Sequence, residues 1–249
     1  MLVVATLGAP QRRLLQSMRR RSNAEPEPEP TPVATGRATV IDVGQPFGDA
    51  AEAAAWLERA GEDELAGDLA VLNRALHAFR LVTADPYVHP VGRRQALVAR
   101  VGYGAGEEVA DGRWTSAREL VDTPGRRRRA AVLAPQARLA AVLNGRDRAL
   151  ACEELALRAR LDLDHGRDRE AALQVLVALD AALAELAAGA GTAAALGERL
   201  PELRAQRDPI TAAGQAALAG SLSADQRETV AFTLGRIEAA LRARAASSA

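Results

Sequence analysis

The sequence predicts an all-α fold of about eight to ten helices, including antiparallel helical hairpins, and three observations support this class. Leucines recur at intervals of three and four residues, which places them on one face of a helix. Residues that cap helix ends precede several of these leucine stripes. Strand character is scarce: segment 38–43 could form a short strand, but a strand without a partner is not stable.

The first 48 residues are predicted to be a disordered arm. Segment 11–21 is short, basic and rich in arginine, and prolines alternate with other residues over 25–32, which forbids a helix there. Residues 49–249 are predicted to form an all-helical domain, with a possible subdivision near 189–192, where small residues and glycine form a connector.

Two helices open the predicted domain. Asp49 and Glu52 have the spacing of a capping box, so we expect a helix from there to Gly61. The next helix carries apolar residues at alternating steps of four and three, which predicts that this face meets another helix. These residues are Leu65, Leu69, Leu72, Leu76 and Phe79. Two prolines, in Asp85–Pro86 and His89–Pro90, break the helix within six residues.

The middle of the chain is less regular. We expect a helix over 91–101, then a glycine-rich segment over 102–112 that is either a loop or a small hairpin. Ser116 and Glu119 suggest a helix of one or two turns. A longer helix is predicted from Thr123–Pro124 to Leu143, because threonine caps a helix and proline fits its first position.

The clearest prediction is a helical hairpin over 146–188, with Gly166 at its turn. Its first helix has two apolar faces, one with Leu150, Leu157 and Leu161 and the other with Cys152, Leu155, Ala159 and Leu163, so we expect it to be buried on two sides. The second helix has one stripe, formed by Leu173, Leu176, Leu179, Leu183 and Leu186.

Two further helices complete the predicted domain. Asp208–Pro209 starts a short alanine-rich helix. Ser223 and Gln226 form a second capping box before the last helix. That helix has a stripe formed by Val230, Leu234, Ile237 and Leu241.

Charge and cysteine content exclude several classes of protein. The net charge is zero, so no overall field favours nucleic acid or an anionic membrane. A Walker-type nucleotide-binding loop is excluded because it needs a lysine, and all 32 basic residues are arginine. The single cysteine forms no internal disulfide, which favours a cytoplasmic protein. No apolar segment has the length and uniformity of a membrane span.

Catalytic motifs are absent from the sequence, so we predict no catalytic residue, no cofactor and no metal. Asp162, Asp164, His165 and Asp168 have the chemistry of metal ligands, but no second cluster supplies the remaining ligands. The function predicted from the sequence is therefore a non-catalytic helical interaction or scaffold module that binds a protein partner through a helix groove.

Two alternatives remain open. The first is a small-ligand-binding or enzymatic domain that uses residues 73–114, where both tyrosines and two of the three histidines are concentrated. Its candidate ligand-binding residues are Asn73, His77, Arg80, Tyr87, His89, Tyr103 and Trp114. The second is a contact with nucleic acid or another anion through Arg126, Arg127, Arg128 and Arg129, which has no helix-turn-helix signature beside it.

Overall fold

The computed structural model describes residues 1–7, 35–44, 46–121, 136, 138–187 and 194–247. The chain forms two compact units, Met1–Thr123 and Pro124–Ala249. The predicted boundary at residue 48 and the predicted subdivision near residues 189–192 stay predictions.

The fold is mostly helical with only short strands, as predicted. The helices are α1 (Ala50–Arg59), α2 (Glu62–Thr83), α3 (Ala151–Asp164), α4 (Asp168–Ala187), α5 (Ala194–Gly197), α6 (Arg199–Ala205), α7 (Arg207–Ala219) and α8 (Ala224–Ser247). Residues 138–143 are also helical. The strands are β1 (Leu2–Leu7), β2 (Thr35–Val40), β3 (Arg100–Tyr103) and β4 (Ser116–Glu119), and 3-10 turns occupy Arg93–Gln95 and Glu107–Val109.

β1 and β2 form an antiparallel pair in the first unit. Leu2 lies opposite Val40, and Leu7 lies opposite Thr35. The prediction of a strand without a partner is therefore wrong, because residues 2–7 supply the partner. The two strands are far apart along the chain, and no local pattern relates them. Residues 8–34 of the predicted arm, including its basic and proline-rich segments, lie outside the described residues.

β3 and β4 form a second antiparallel pair, so the glycine-rich segment lies within a small hairpin. A Cβ on Gly102 would lie 2.6 Å from the Cβ of Ala117, and only glycine permits this close approach between the strands. Helices predicted over 91–101 and from Ser116 are therefore wrong. Strand pairing buries Val101, whereas helices of this length have little stability of their own.

The first unit has a small core. Leu57, Ala60, Ala99, Val101 and Leu120 are buried in it, and Trp56, Leu65 and Tyr103 pack against them.

Helix α1 is fixed at both of its ends. At its start, Asp49 Oδ1 accepts a hydrogen bond of 2.8 Å from Glu52 N, which confirms the predicted cap. At its end, Arg118 of β4 donates from Nε to Leu57 O at 2.9 Å and from Nη2 to Ala60 O. A guanidinium group at a helix C-terminus also complements the helix dipole. Arg118 therefore joins the β3–β4 hairpin to α1.

The helical hairpin of the second unit is confirmed, with Gly166 at a φ of +67° in the turn between α3 and α4. However, most of the residues that the two helices bury are small. Cys152, Ala156 and Ala159 of α3 are buried, and α4 buries Ala171, Ala172, Val175, Ala178, Leu179, Ala182 and Leu186. Small side chains allow two helices to approach closely, so the alanine face lies inside.

The leucines of the hairpin are only partly in this contact. Leu157 is 68% exposed and Leu161 is 37% exposed, so the prediction that α3 is buried on two sides is wrong. On α4, Leu179 and Leu186 are fully buried, while the other three leucines of the predicted stripe are half-buried.

Helices α7 and α8 pack on the hairpin. The predicted capping box is confirmed, because Gln226 N donates to Ser223 Oγ and Ser223 N donates to Gln226 Oε1. Val230, Leu234 and Ile237 of α8 are buried as predicted, with Leu241 packed beside them. Gly214 of α7 permits a close approach to α4, since a Cβ there would lie 2.9 Å from Leu176 Cδ2.

Four charged side chains join the start of the hairpin to the last helix. Arg244 of α8 lies 2.7 Å from Asp147 and 3.4 Å from Glu153, and Arg138 lies 2.5 Å from Glu153 and 3.2 Å from Asp147. Both carboxylates are only 16% exposed, so the pairs are less screened by solvent than ordinary surface pairs.

Candidate functional site

Helix α2 contains the residues from which the candidate site is built. Its first half lies against the core of its unit: Leu65 packs on that core, and the helix contacts strand β2. Leu65, Leu69, Leu72 and Leu76 of the predicted stripe are half-buried, but Phe79 is 57% exposed. Burial of the stripe thus ends before the last turns of the helix.

The end of α2 is a tight reversal. Ala84 adopts a left-handed conformation with a φ of 52°, and the Asp85 N–H donates to Arg80 O. Pro86 follows and prevents the helix from continuing. Asp85 Oδ1 also accepts a hydrogen bond of 2.9 Å from Tyr87 N, which fixes the direction in which the chain leaves the helix.

Asn73 fixes the segment that returns along α2. Its Nδ2 donates to Val91 O at 3.0 Å, and its Oδ1 accepts from Val91 N at 2.8 Å. The side chain is buried, so these two bonds satisfy polar groups on both partners. Asn73 was a candidate ligand-binding residue, and its amide group is occupied by this structural contact.

The other candidate ligand-binding residues lie in different environments. His77 and Trp114 are half-buried, Arg80 and His89 are exposed, and Tyr87 is 83% exposed. Tyr103 is half-buried in β3, where it packs against the core of the first unit. The hypothesis that these residues share one ligand site stays a prediction.

Three aromatic side chains do come together in the first unit. The rings of Phe47 and Trp56 have centroids 5.4 Å apart, and the rings of Phe47 and Tyr103 have centroids 6.3 Å apart. The sequence does not predict this cluster, because Phe47 precedes the predicted domain. The Phe47–Trp56 pair is tilted and the Phe47–Tyr103 pair is edge-to-face, as is common for packed aromatic rings. The cluster lies beside the core of the first unit, because Trp56 and Tyr103 pack against that core.

An exposed apolar stripe runs along the second half of α2. We call the residues Ala75, Ala78, Phe79 and Val82 the α2 exposed stripe. They follow the i, i+3, i+4, i+7 spacing of one helix face, and all four are exposed, with Val82 at 87%. This face was not predicted: Phe79 was assigned to the leucine stripe, and two of the other three residues are alanines.

The charge around the α2 exposed stripe is positive. Arg74 and Arg80 are exposed beside it, and the sequence has no aspartate or glutamate between residues 69 and 83. The first half of the helix is acidic. There, burial raises the pKa of Asp68, and the nearby carboxylates of Glu64 and Asp42 raise it further. Helix α2 therefore presents an apolar face with a positive border at one end only.

The first unit also has an open pocket of about 200 Å³ at the base of the β3–β4 hairpin. Arg93 and Arg94 line it together with residues 96–99 and 119–121. Arg93 Nη2 donates to Leu120 O at 2.6 Å, so this guanidinium group also supports the hairpin. The pocket is open, unlike the enclosed cavities that bind small molecules.

Cys152 has the properties of a structural residue. Its side chain is fully buried. Burial is the largest of the causes that raise the pKa of the thiol to about 12, and the hydrogen bond with Glu185 and the negative charge of Glu185 are the next two. The thiolate is the nucleophilic form of cysteine, and at this pKa almost none is present at neutral pH.

The acidic residues near the hairpin turn are engaged by arginines. The ion pairs are Asp162–Arg167, Asp164–Arg160 and Asp168–Arg227. His165 Nδ1 lies 2.8 Å from Leu161 O. In the described parts of the chain, no group of three or more acidic, histidine or cysteine side chains is arranged to hold a metal ion.

The anion-contact candidates Arg126, Arg127, Arg128 and Arg129 lie outside the described residues. Of the helices that the structure describes, none combines the length and the apolarity that a membrane crossing requires. Comparison of the chain with protein-family models, curated proteins and solved structures found no match.

Proposed function

We propose that this chain is a non-catalytic protein-interaction module and that the α2 exposed stripe is its docking surface. The observation that carries the proposal is the exposure of Phe79 and Val82, at 57% and 87%, on one face of an ordered helix. Hydrophobic side chains scattered singly over a surface are common, but a row at helical spacing is the pattern by which one helix binds another.

The charges beside the stripe favour one kind of partner. Arg74 and Arg80 provide a positive border, and no carboxylate between residues 69 and 83 offsets it. An amphipathic helix whose apolar face is flanked by aspartate or glutamate fits both features, because it would bury Phe79 and Val82 and pair its carboxylates with the arginines. The single cysteine supports a reducing compartment such as the cytoplasm as the place of this interaction.

Site-specific photo-crosslinking tests the proposal. A photoreactive amino acid at position 82 should capture one partner, which mass spectrometry then identifies. The same amino acid at position 97 is the matched control, because Leu97 is 85% exposed and lies outside the stripe. Equal capture of the same partner at both positions would contradict the assignment of the surface.

The affinity of the captured partner gives a second readout. Changing Phe79 and Val82 together to alanine preserves helix propensity but removes the apolar contact, so binding should weaken by at least about 30-fold, equivalent to about 2 kcal/mol. Leu97→Ala should leave the dissociation constant unchanged in the same titration. A double variant that binds as tightly as the native chain would refute the proposed surface.

A further inference from the structure

Strand β1 leaves one edge of its sheet unpaired in the described part of the chain, since the sheet contains β1 and β2 alone. The hydrogen bonds show which groups point outward. Met1 N donates to Ile41 O at 2.6 Å, and Ile41 N donates to Met1 O at 2.8 Å. Because such pairs alternate along an antiparallel ladder, Val3, Ala5 and Leu7 bond to β2. The N–H and C=O groups of Leu2, Val4 and Thr6 therefore point away from it.

Among the residues that the structure describes, this edge has none of the features that normally prevent strand pairing. The sequence of β1 is LVVATL, with no charged residue, no proline and no glycine. Edge strands of soluble proteins are usually protected by a charge, a proline, a bulge or a covering element. Val4 lies at the centre of the strand and is 68% exposed, so a partner strand has access to it.

We propose that β1 pairs with β1 of a second copy of this chain, in antiparallel orientation, to form a continuous four-stranded sheet. With the twofold axis at Val4, Leu2 of one chain lies opposite Thr6 of the other. In this register each outward N–H of one strand meets an outward C=O of its partner, so all three outward residues of both strands are paired.

The self-complementarity of the strand selects a second copy as the occupant. The axis places Val4 opposite Val4, a pair of β-branched side chains, and Leu2 opposite Thr6, with no like charges facing each other. The other face of the sheet, which carries Ala5 of β1, is turned toward the rest of the first unit. Arg37 of β2 lies opposite Ala5 on this face and donates to Asp111 O at 2.7 Å. This surface is separate from the α2 exposed stripe, so the inference stands independently of the proposed function.

The mass of the native full-length chain in solution is the first test. Light scattering after size exclusion should give twice the monomer mass of 26.2 kDa, with dissociation on dilution over about a hundredfold range of concentration. Val4→Pro should give the monomer mass, because it removes an outward N–H without removing a bond to β2. Val4→Lys should have the same effect by adding a charge to the edge, and it remains decisive if the proline variant does not fold.

Two controls separate this edge from other surfaces. Val43→Lys adds the same charge at a residue that is 70% exposed outside the strand, and it should leave the dimer intact. The double alanine variant at Phe79 and Val82 should also remain dimeric, so failure of the proposed function and failure of this inference are distinguishable.

Amide hydrogen exchange supplies a direct readout of the edge. In the native dimer the amides of Leu2, Val4 and Thr6 should be protected together with those of Val3, Ala5 and Leu7. In Val4→Lys, protection should remain only at the alternate residues bonded to β2. The inference is overturned by a native chain that is monomeric at every concentration, by a dimer that survives Val4→Lys, or by outward amides that exchange freely in the dimer. A native monomer that instead binds an uncharged strand peptide would overturn the choice of occupant.

Discussion

Replacing Glu185 by alanine should destabilise the second unit, because this residue caps a neighbouring helix. Glu185 Oε1 accepts a hydrogen bond of 3.1 Å from Ala151 N, and Oε2 accepts one of 3.0 Å from Cys152 N. These N–H groups belong to the first turn of α3. The helix is preceded by Leu150, whose side chain cannot accept a hydrogen bond, and Glu153 of the same helix accepts from Leu150 N. The carboxylate on α4 therefore satisfies donors that a helix start otherwise leaves free.

The expected loss is about 2 kcal/mol of unfolding free energy. Loss of a capping side chain costs about 0.5–2 kcal/mol, and a hydrogen bond to a charged group contributes about 1.5–3 kcal/mol when solvent is excluded. Glu185 makes two such hydrogen bonds, but it is only half-buried, so water competes for them. The expected loss of unfolding free energy therefore lies near the top of the range for a capping side chain.

The loss should also depend on pH. Burial opposes ionisation of Glu185, but the backbone N–H of Cys152, the Cys152 thiol and the Ala151 N–H outweigh it and hold the pKa below its usual value of 4.5. A lowered pKa in the folded state means that the stabilisation is complete above the unfolded-state pKa and disappears as pH falls through the folded-state pKa. The difference between native and Glu185→Ala should therefore be full at neutral pH and shrink in acid.

Urea unfolding followed by far-ultraviolet circular dichroism measures both effects. Asp180→Ala is the matched control: it removes a carboxylate from the same helix, where Asp180 pairs with Arg207 at 3.2 Å and both side chains are largely exposed. Exposed pairs contribute about 1 kcal/mol or less, so the control should lie well below Glu185→Ala. The capping argument would be refuted if the two variants lost equal unfolding free energy. It would also be refuted if Glu185→Ala lost the same unfolding free energy at neutral and at acidic pH.

Two further predictions follow from burial and charge. Asp68→Asn should stabilise the first unit at neutral pH, because burial and the carboxylates of Glu64 and Asp42 raise the pKa of Asp68, and a raised folded-state pKa costs stability as pH rises through it. Urea titrations should show the gain shrinking in acid, and a gain independent of pH would contradict this account. Leu179→Ala should cost about 2–5 kcal/mol and Leu157→Ala less than about 0.5 kcal/mol in the same assay, because only the first side chain is buried. Similar losses at both leucines would mean that α3 has a second covered face.

Local chemistry made parts of the fold predictable. A capping box at Ser223 and Gln226 is decided by neighbouring residues, and so is the turn at Gly166 between two apolar segments. The pairing of β1 with β2 depends on residues 28 to 38 positions apart, and nothing in either strand alone identifies its partner. The helix predicted over 91–101 failed for a related reason, since cross-strand pairing in the folded chain outweighs weak local preference.

The face that a helix buries was harder to predict than the helix itself. On α3 the predicted face with Cys152 and Ala159 is buried, but Leu157 and Leu161 of the other predicted face are exposed. On α2 the leucine stripe was recognised, yet the exposed stripe beside it was not. Whether this face is exposed depends on how far the rest of the first unit extends along α2. The sequence of α2 alone does not contain that information.

The buried alanines of α3 and α4 also have a consequence for the rate of folding. Alanine has the highest helix propensity and loses no rotamer freedom on burial, so ordering these helices costs little conformational entropy. Their contacts close a loop of only a few residues around Gly166, whereas α8 contacts the same helices across a much longer stretch of chain. Because short loops close at lower entropic cost, we expect the hairpin to nucleate the second unit and α8 to dock on it afterwards.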